Sequence, residues 1–87
     1  MKLEDIKKII EEAVPKSTAY ILDPMNDGEH LQAIVISLSF EGIPLIKQHQ
    51  MVMQPLKEAF AQSVHALGLK TFTPQKWEEQ KNNYTIE

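Results

Sequence analysis

The residues of this 87-residue chain best suited to chemistry are three histidines, His30, His49 and His65. A neutral imidazole donates a lone pair to a metal and exchanges its proton near physiological pH. No two of them stand four residues apart, so the paired helical face of a zinc protease is absent. His30 follows a turn at the start of one strand, and His65 stands where a helical pattern gives way to alternation. His49 follows Leu45 and Ile46 by one helical turn, a placement that reads as packing. The chain has no cysteine. By itself it therefore holds no disulfide, thiolate zinc site or iron–sulfur cluster.

Other chemistries find little support. Only three glycines are present and none cluster, which excludes a phosphate loop and a dinucleotide fingerprint. No nucleophile elbow occurs. Of the twelve carboxylates, Glu4, Asp5, Glu11 and Glu12 fall on the first helix, on its polar face, where solvation is the ordinary role. We therefore expect a protein that is not an enzyme. A second constellation, Lys47, Gln48, His49, Gln50 and Lys57, lies on two apparent helices joined near Pro55, in helix-turn-helix outline. Glu41 and Glu58 offset the two lysines, so the electrostatics do not favour DNA.

These residues need elements to position them. Leu3, Ile6, Ile10, Ala13 and Val14 recur at helical spacing, and Pro15 stops that helix near Val14. "STAYILD" and "HLQAIVISLSF" read as strands of an antiparallel hairpin, joined by a loop from Pro24 to Glu29. Asp27-Gly28 is expected to take the positive-φ turn. Gly42 marks another turn, with Pro44 opening a short helix over "LIKQHQMVM". Pro55 ends or restarts it, and a second helix carries Leu56, Ala59, Phe60, Ser63 and Val64 on one stripe. Leu67, Leu69 and Thr71 alternate as a third strand, and Thr73-Pro74 caps and opens a last helix through Trp77. The expected order is α-β-β-α-α-β-α, an α+β fold with helices on one face of a three-stranded sheet. The aromatic residues Trp77, Phe40, Phe60 and Phe72 are assigned to the core or its edge.

Size and composition bound the rest. The chain is one domain, drawn here over residues 1–81, with a frayed tail at 82–87. Hydrophobic residues make up 43% and charged residues 24%, which argues against disorder. The net charge of −3 gives no general attraction to nucleic acid. No apolar run has the length of a membrane span, so a cytoplasmic protein without a membrane partner is expected.

Taken together, "VHALGLKTFTPQKWEE" resembles the C-terminal signature of the BolA family: a histidine, an apolar strand, a Thr-Pro opening and Trp-Glu. "GEHLQAIVISLSFEGIPLIKQHQMV" is similar to the family's glycine-to-strand segment, its Phe-x-Gly turn (Phe40, Glu41, Gly42) and its basic-His-polar helix. The likeness runs from Leu3 to about Gln80, and the short chain suggests the bacterial acid-stress branch. The resemblance implies a fold akin to the class II KH domain. It also implies partnership with a monothiol glutaredoxin in handling a [2Fe–2S] cluster shared with glutathione. On that analogy His65 is a cluster ligand and His30, beside the first hairpin loop, is the candidate for the second. Some members are described as DNA-binding regulators, and a homodimer is left open. Gln48 and Gln50 flank His49 where many relatives have arginines, and Met53 replaces a common tyrosine. Both changes remove phosphate-binding or stacking capacity and weigh against DNA more than against the cluster.

Overall fold

The computed structural model describes residues 3–27, 30–60 and 67–83. Helix α1 spans Leu3–Ala13 and turns Ile6 and Ile10 fully inward, with Val14 buried just beyond it. Proline at 15 cannot extend the helix. Lys16 takes a left-handed conformation (φ 55°), and Ser17 Oγ donates to the Val14 carbonyl at 2.7 Å. The chain thereby reverses straight into strand β1, Ser17–Leu22.

Strand β2, Leu31–Ser37, pairs antiparallel with β1, from Ser17 opposite Ser37 to Leu22 opposite Gln32. The hairpin is as expected. Its positive-φ residue is Asn26 (φ 53°), while Gly28 and Glu29 lie outside the described residues. Strand β2 stops at Ser37, short of the expected Phe40. The buried Ser37 hydroxyl accepts the Ser39 N–H at 3.0 Å and donates to the Pro15 carbonyl at 2.6 Å. That bond starts a 3-10 turn over Leu38–Phe40. A type II turn follows: Glu41 has φ −61° and ψ 130°, Gly42 has φ 74°, and Ile43 N–H reaches the Phe40 carbonyl at 3.1 Å. Glycine is needed there because the position demands positive φ.

One helix then replaces the expected two. Helix α2 runs from Leu45 to Phe60 with Pro55 inside it, so the helix-turn-helix outline is corrected. Proline in a helix interior costs about 3 kcal/mol through its missing N–H and its ring. Val52 and Leu56, both fully buried on either side of Pro55, keep one apolar stripe facing the core. Burying two such side chains contributes roughly 3–6 kcal/mol, enough to offset the break.

Strand β3, Leu67–Phe72, pairs parallel with β2, Leu31 opposite Leu67 and Ile36 opposite Phe72. The sheet order is β1-β2-β3, so β2 is central. Parallel neighbours need a crossover, and α2 provides it. Alternation sends Ala19, Leu31 and Val35 toward α1 and α2, where they join Phe40, Val52 and Leu56 in the core. Helix α3, Pro74–Gln80, lies on the other face. Its Trp77 ring stacks on Tyr20 at 6.0 Å and meets Phe72 at 5.4 Å, and both side chains alternate away from Ala19 and Val35. The single helical face expected from sequence thus holds for α1 and α2 alone. Coverage of both faces explains why "AIVI" is an unbroken apolar run, with Ile34 only 1% exposed.

Helix α3 begins as expected, with Thr73 Oγ1 accepting the Lys76 N–H at 3.3 Å and Pro74 in its first turn. Lys81–Asn83 forms a 3-10 turn. Residues 84–87 and the side chain of Phe60 lie outside the described residues.

Candidate metal-ligand site at the end of the sheet

His30 stands immediately before β2 at the end of the hairpin loop, and its side chain is 58% exposed. A chain of local bonds sets its position. Asp23 Oδ1 accepts the Asp27 N–H at 3.2 Å, which folds the loop back on itself. Asp27 then grips His30 at two points: Oδ1 accepts the His30 backbone N–H at 3.0 Å, and Oδ2 lies 2.7 Å from ring Nδ1. A carboxylate that takes both a backbone and a ring N–H orients the imidazole as well as placing it. Sequence reasoning read Asp27 as a turn residue and not as a partner of His30. The signal available was a turn aspartate three residues before the histidine, a spacing at which Asx side chains bond to the main chain ahead.

His65 lies outside the described residues. Its neighbourhood in sequence is informative nonetheless. Leu67, two residues after it, opens β3 directly opposite Leu31, which follows His30. Had β3 run antiparallel to β2, its first residue would lie at the far end of the sheet. Parallel pairing instead brings the starts of both strands to the same end.

Among the described residues, no group of three or more His, Cys, Asp or Glu is arranged to hold a metal ion. A metal held by His30 would have to take further ligands from beyond these residues. An exposed, carboxylate-oriented imidazole fits the role of one ligand, and an iron atom accepts such nitrogen donors in place of thiolates.

The nucleic-acid candidates are divided by the fold. Lys47, Gln50 and Lys57 are exposed along α2, and His49 is half-buried in a groove with Leu45, Lys70 and Phe72. Gln48 is committed internally. Its Nε2 donates to the carbonyls of Ile43 (2.7 Å) and Phe40 (3.3 Å), and its Oε1 accepts from Thr71 Oγ1 at 2.6 Å. This amide ties the type II turn, α2 and β3 together, so its polar atoms are engaged within the fold.

Glu11, read from sequence as solvated, is also engaged. It accepts from Lys7 at 2.8 Å and from the Ala19 N–H at 2.9 Å, and these bonds hold its carboxyl below the ordinary value of 4.5. No helix among the described residues is long and apolar enough to cross a membrane.

A three-stranded mixed sheet with two helices on one face, a third on the other and a histidine at a strand start defines an α+β class of small domain. Comparison with known proteins identifies it further. The family described as BolA-like protein matches residues 7–76, and the chain belongs to the BolA family. The acid stress protein IbaG of Escherichia coli K12 is 30% identical over 78 residues, covering 88% of this chain and 89% of that one. The DNA-binding transcriptional regulator BolA of Haemophilus influenzae is 37% identical over 51 residues, 59% of this chain and 50% of its own length. A solved BolA homologue from Coxiella burnetii superposes with a TM-score of 0.73 at 33% identity, covering 90% of this chain and 97% of that one. The family resemblance and the fold class expected from sequence hold.

Proposed function

We propose that this chain is a non-enzymatic partner of a monothiol glutaredoxin, lending His65 and His30 to a shared [2Fe–2S] cluster for its binding, transfer or use in iron sensing. The observation that carries this reading is the parallel register of β2 and β3. It pairs Leu31, which follows His30, with Leu67, two residues after His65 in sequence, and so sets the starts of both strands at one end of the sheet. The remaining two ligands come from the glutaredoxin thiolate and bound glutathione. With two imidazoles in place of two thiolates, such a cluster is less negative and easier to reduce. Imidazole ligands also protonate and leave more readily than thiolates near neutral pH, which suits transfer over storage. Exposure of His30 on the loop supports approach by another protein, and the rigid strand beside it supports a defined reach.

The test is to mix the protein with a cluster-loaded monothiol glutaredoxin and record the visible absorption and circular dichroism. A heterodimer with an altered spectrum is expected. His65→Ala should abolish the change while far-ultraviolet dichroism stays that of the folded chain. A mutant spectrum identical to that of the unmutated mixture would defeat the reading.

DNA binding is the second reading, favoured by the name of the Haemophilus influenzae relative and by the exposure of Lys47, Gln50 and Lys57. Its support is thinner, since Gln48 is committed within the fold and α2 is one continuous helix. It requires duplex binding whose affinity falls with salt, with a slope reduced by about one in Lys47→Ala. Absence of binding at low ionic strength would dispose of it.

A further inference from the structure

We propose that Asp27 is the positioning residue that selects the ligating nitrogen of His30. The inference rests on the reading of His30 as a metal ligand and deepens it.

The argument begins with donor chemistry. An ionised carboxylate only accepts hydrogen bonds. With Oδ2 of Asp27 2.7 Å from Nδ1 of His30, the Nδ1 atom must carry the proton. In the neutral ring the lone pair then resides on Nε2. The other oxygen, Oδ1, accepts the His30 backbone N–H at 3.0 Å, so the carboxylate is held from both sides and cannot swing away without breaking two bonds. The Asp23 side chain adds a third restraint by accepting the Asp27 N–H at 3.2 Å. Asp27 is thus held at its own main chain by Asp23 and at its carboxylate by His30. A carboxylate behind a ligating histidine fixes the tautomer, steadies the ring plane and makes the ligand more basic. Removing such a partner typically weakens metal affinity by 10- to 100-fold.

The geometry gives a sharp substitution. In Asp27→Asn the amide has one acceptor and one donor arm. The His30 backbone N–H requires the acceptor arm, which leaves the amide NH₂ facing Nδ1. A donor there demands a lone pair on Nδ1, so the neutral ring must move its proton to Nε2 and lose the lone pair at that atom. Asp27→Asn is therefore expected to invert the tautomer, whereas Asp27→Ala merely releases it to a mixture. Both changes fall on an exposed loop and leave the core untouched.

The readout is ¹⁵N NMR of the histidine rings in the metal-free full chain, at alkaline pH where imidazole is neutral, with His30 assigned by its loss in His30→Gln. In the unmutated protein Nε2 of His30 should show the downfield pyridine-type shift and Nδ1 the pyrrole-type shift. Asp27→Asn should exchange the two, and the same variant mixed with cluster-loaded monothiol glutaredoxin should lose the spectral change given by the unmutated protein. Unchanged ring shifts in Asp27→Asn would overturn the proposal, as would inverted shifts with a fully retained cluster spectrum. Inverted shifts alongside an unmutated protein that gives no spectral change would uphold the role of Asp27 and overturn the cluster reading instead.

Discussion

Glu11 and Ala19 are joined across eight residues by a hydrogen bond: Glu11 Oε2 accepts the Ala19 backbone N–H at 2.9 Å. Lys7 Nζ, 2.8 Å from the same oxygen, donates to the Ala19 carbonyl at 2.6 Å. Strand β1 is an edge of the sheet, and both main-chain groups of Ala19 are thus occupied by side chains of α1. An edge strand with unpaired groups invites another chain to add to it, and this ion pair closes β1 near its middle.

The pair makes stability depend on acid. Its bonds lower the Glu11 carboxyl below 4.5, so the folded state binds that proton less readily than the unfolded chain. The stabilisation is fully present above about pH 4.5 and is lost as pH falls through the lower, folded-state value. With both side chains partly solvated, its size is about 1 kcal/mol. Glu11→Gln should cost that much at pH 7 and flatten the acid limb of a urea-denaturation series between pH 6 and pH 3, to the extent of about one carboxylate.

Pro55 predicts a gain. With no N–H of its own it leaves the Met51 carbonyl without a helical donor, inside a helix that packing keeps continuous. Pro55→Ala restores that bond and removes the ring, against a modest entropic loss from a freer unfolded chain. The midpoint of urea unfolding should rise by an amount worth about 1–2 kcal/mol. A fall would show that the ring contributes more in packing than the bond is worth.

Gln48→Met keeps the length of the side chain and discards its polarity. The carbonyls of Phe40 and Ile43 and the hydroxyl of Thr71 would lose this partner together. The expected cost is about 2–3 kcal/mol. Amide exchange should quicken at Ile43, whose N–H closes the turn over Gly42, before it does in α1.

The histidines should separate by position. His49 borders residues Leu69 to Phe72, beyond the Leu67 end of β3 that adjoins His30. His49→Ala is expected to leave the glutaredoxin-mixture spectrum unchanged, while His30→Ala weakens or shifts it. The reverse pattern would move the candidate site to the groove between α2 and β3.

Much of this was legible in the chain because it is local. The spacing of Ile6 and Ile10, the block at Pro15, the glycine in "FEGI" and the Thr73-Pro74 cap each act within a few residues, and each appears where expected. Family membership was legible too, since "VHALGLKTFTPQKWEE" strings several such local features in a fixed order.

What tertiary structure decided involves groups far apart in sequence. Pro55 reads as a helix break until Val52 and Leu56 are seen sealed in the core, where burial outweighs the missing bond. Alternation in β3 marks a strand, yet neither its parallel pairing nor the side taken by Trp77 follows from a two-residue period. Propensity and capping are properties of neighbours along the chain, while register and layering are settled only when distant segments meet.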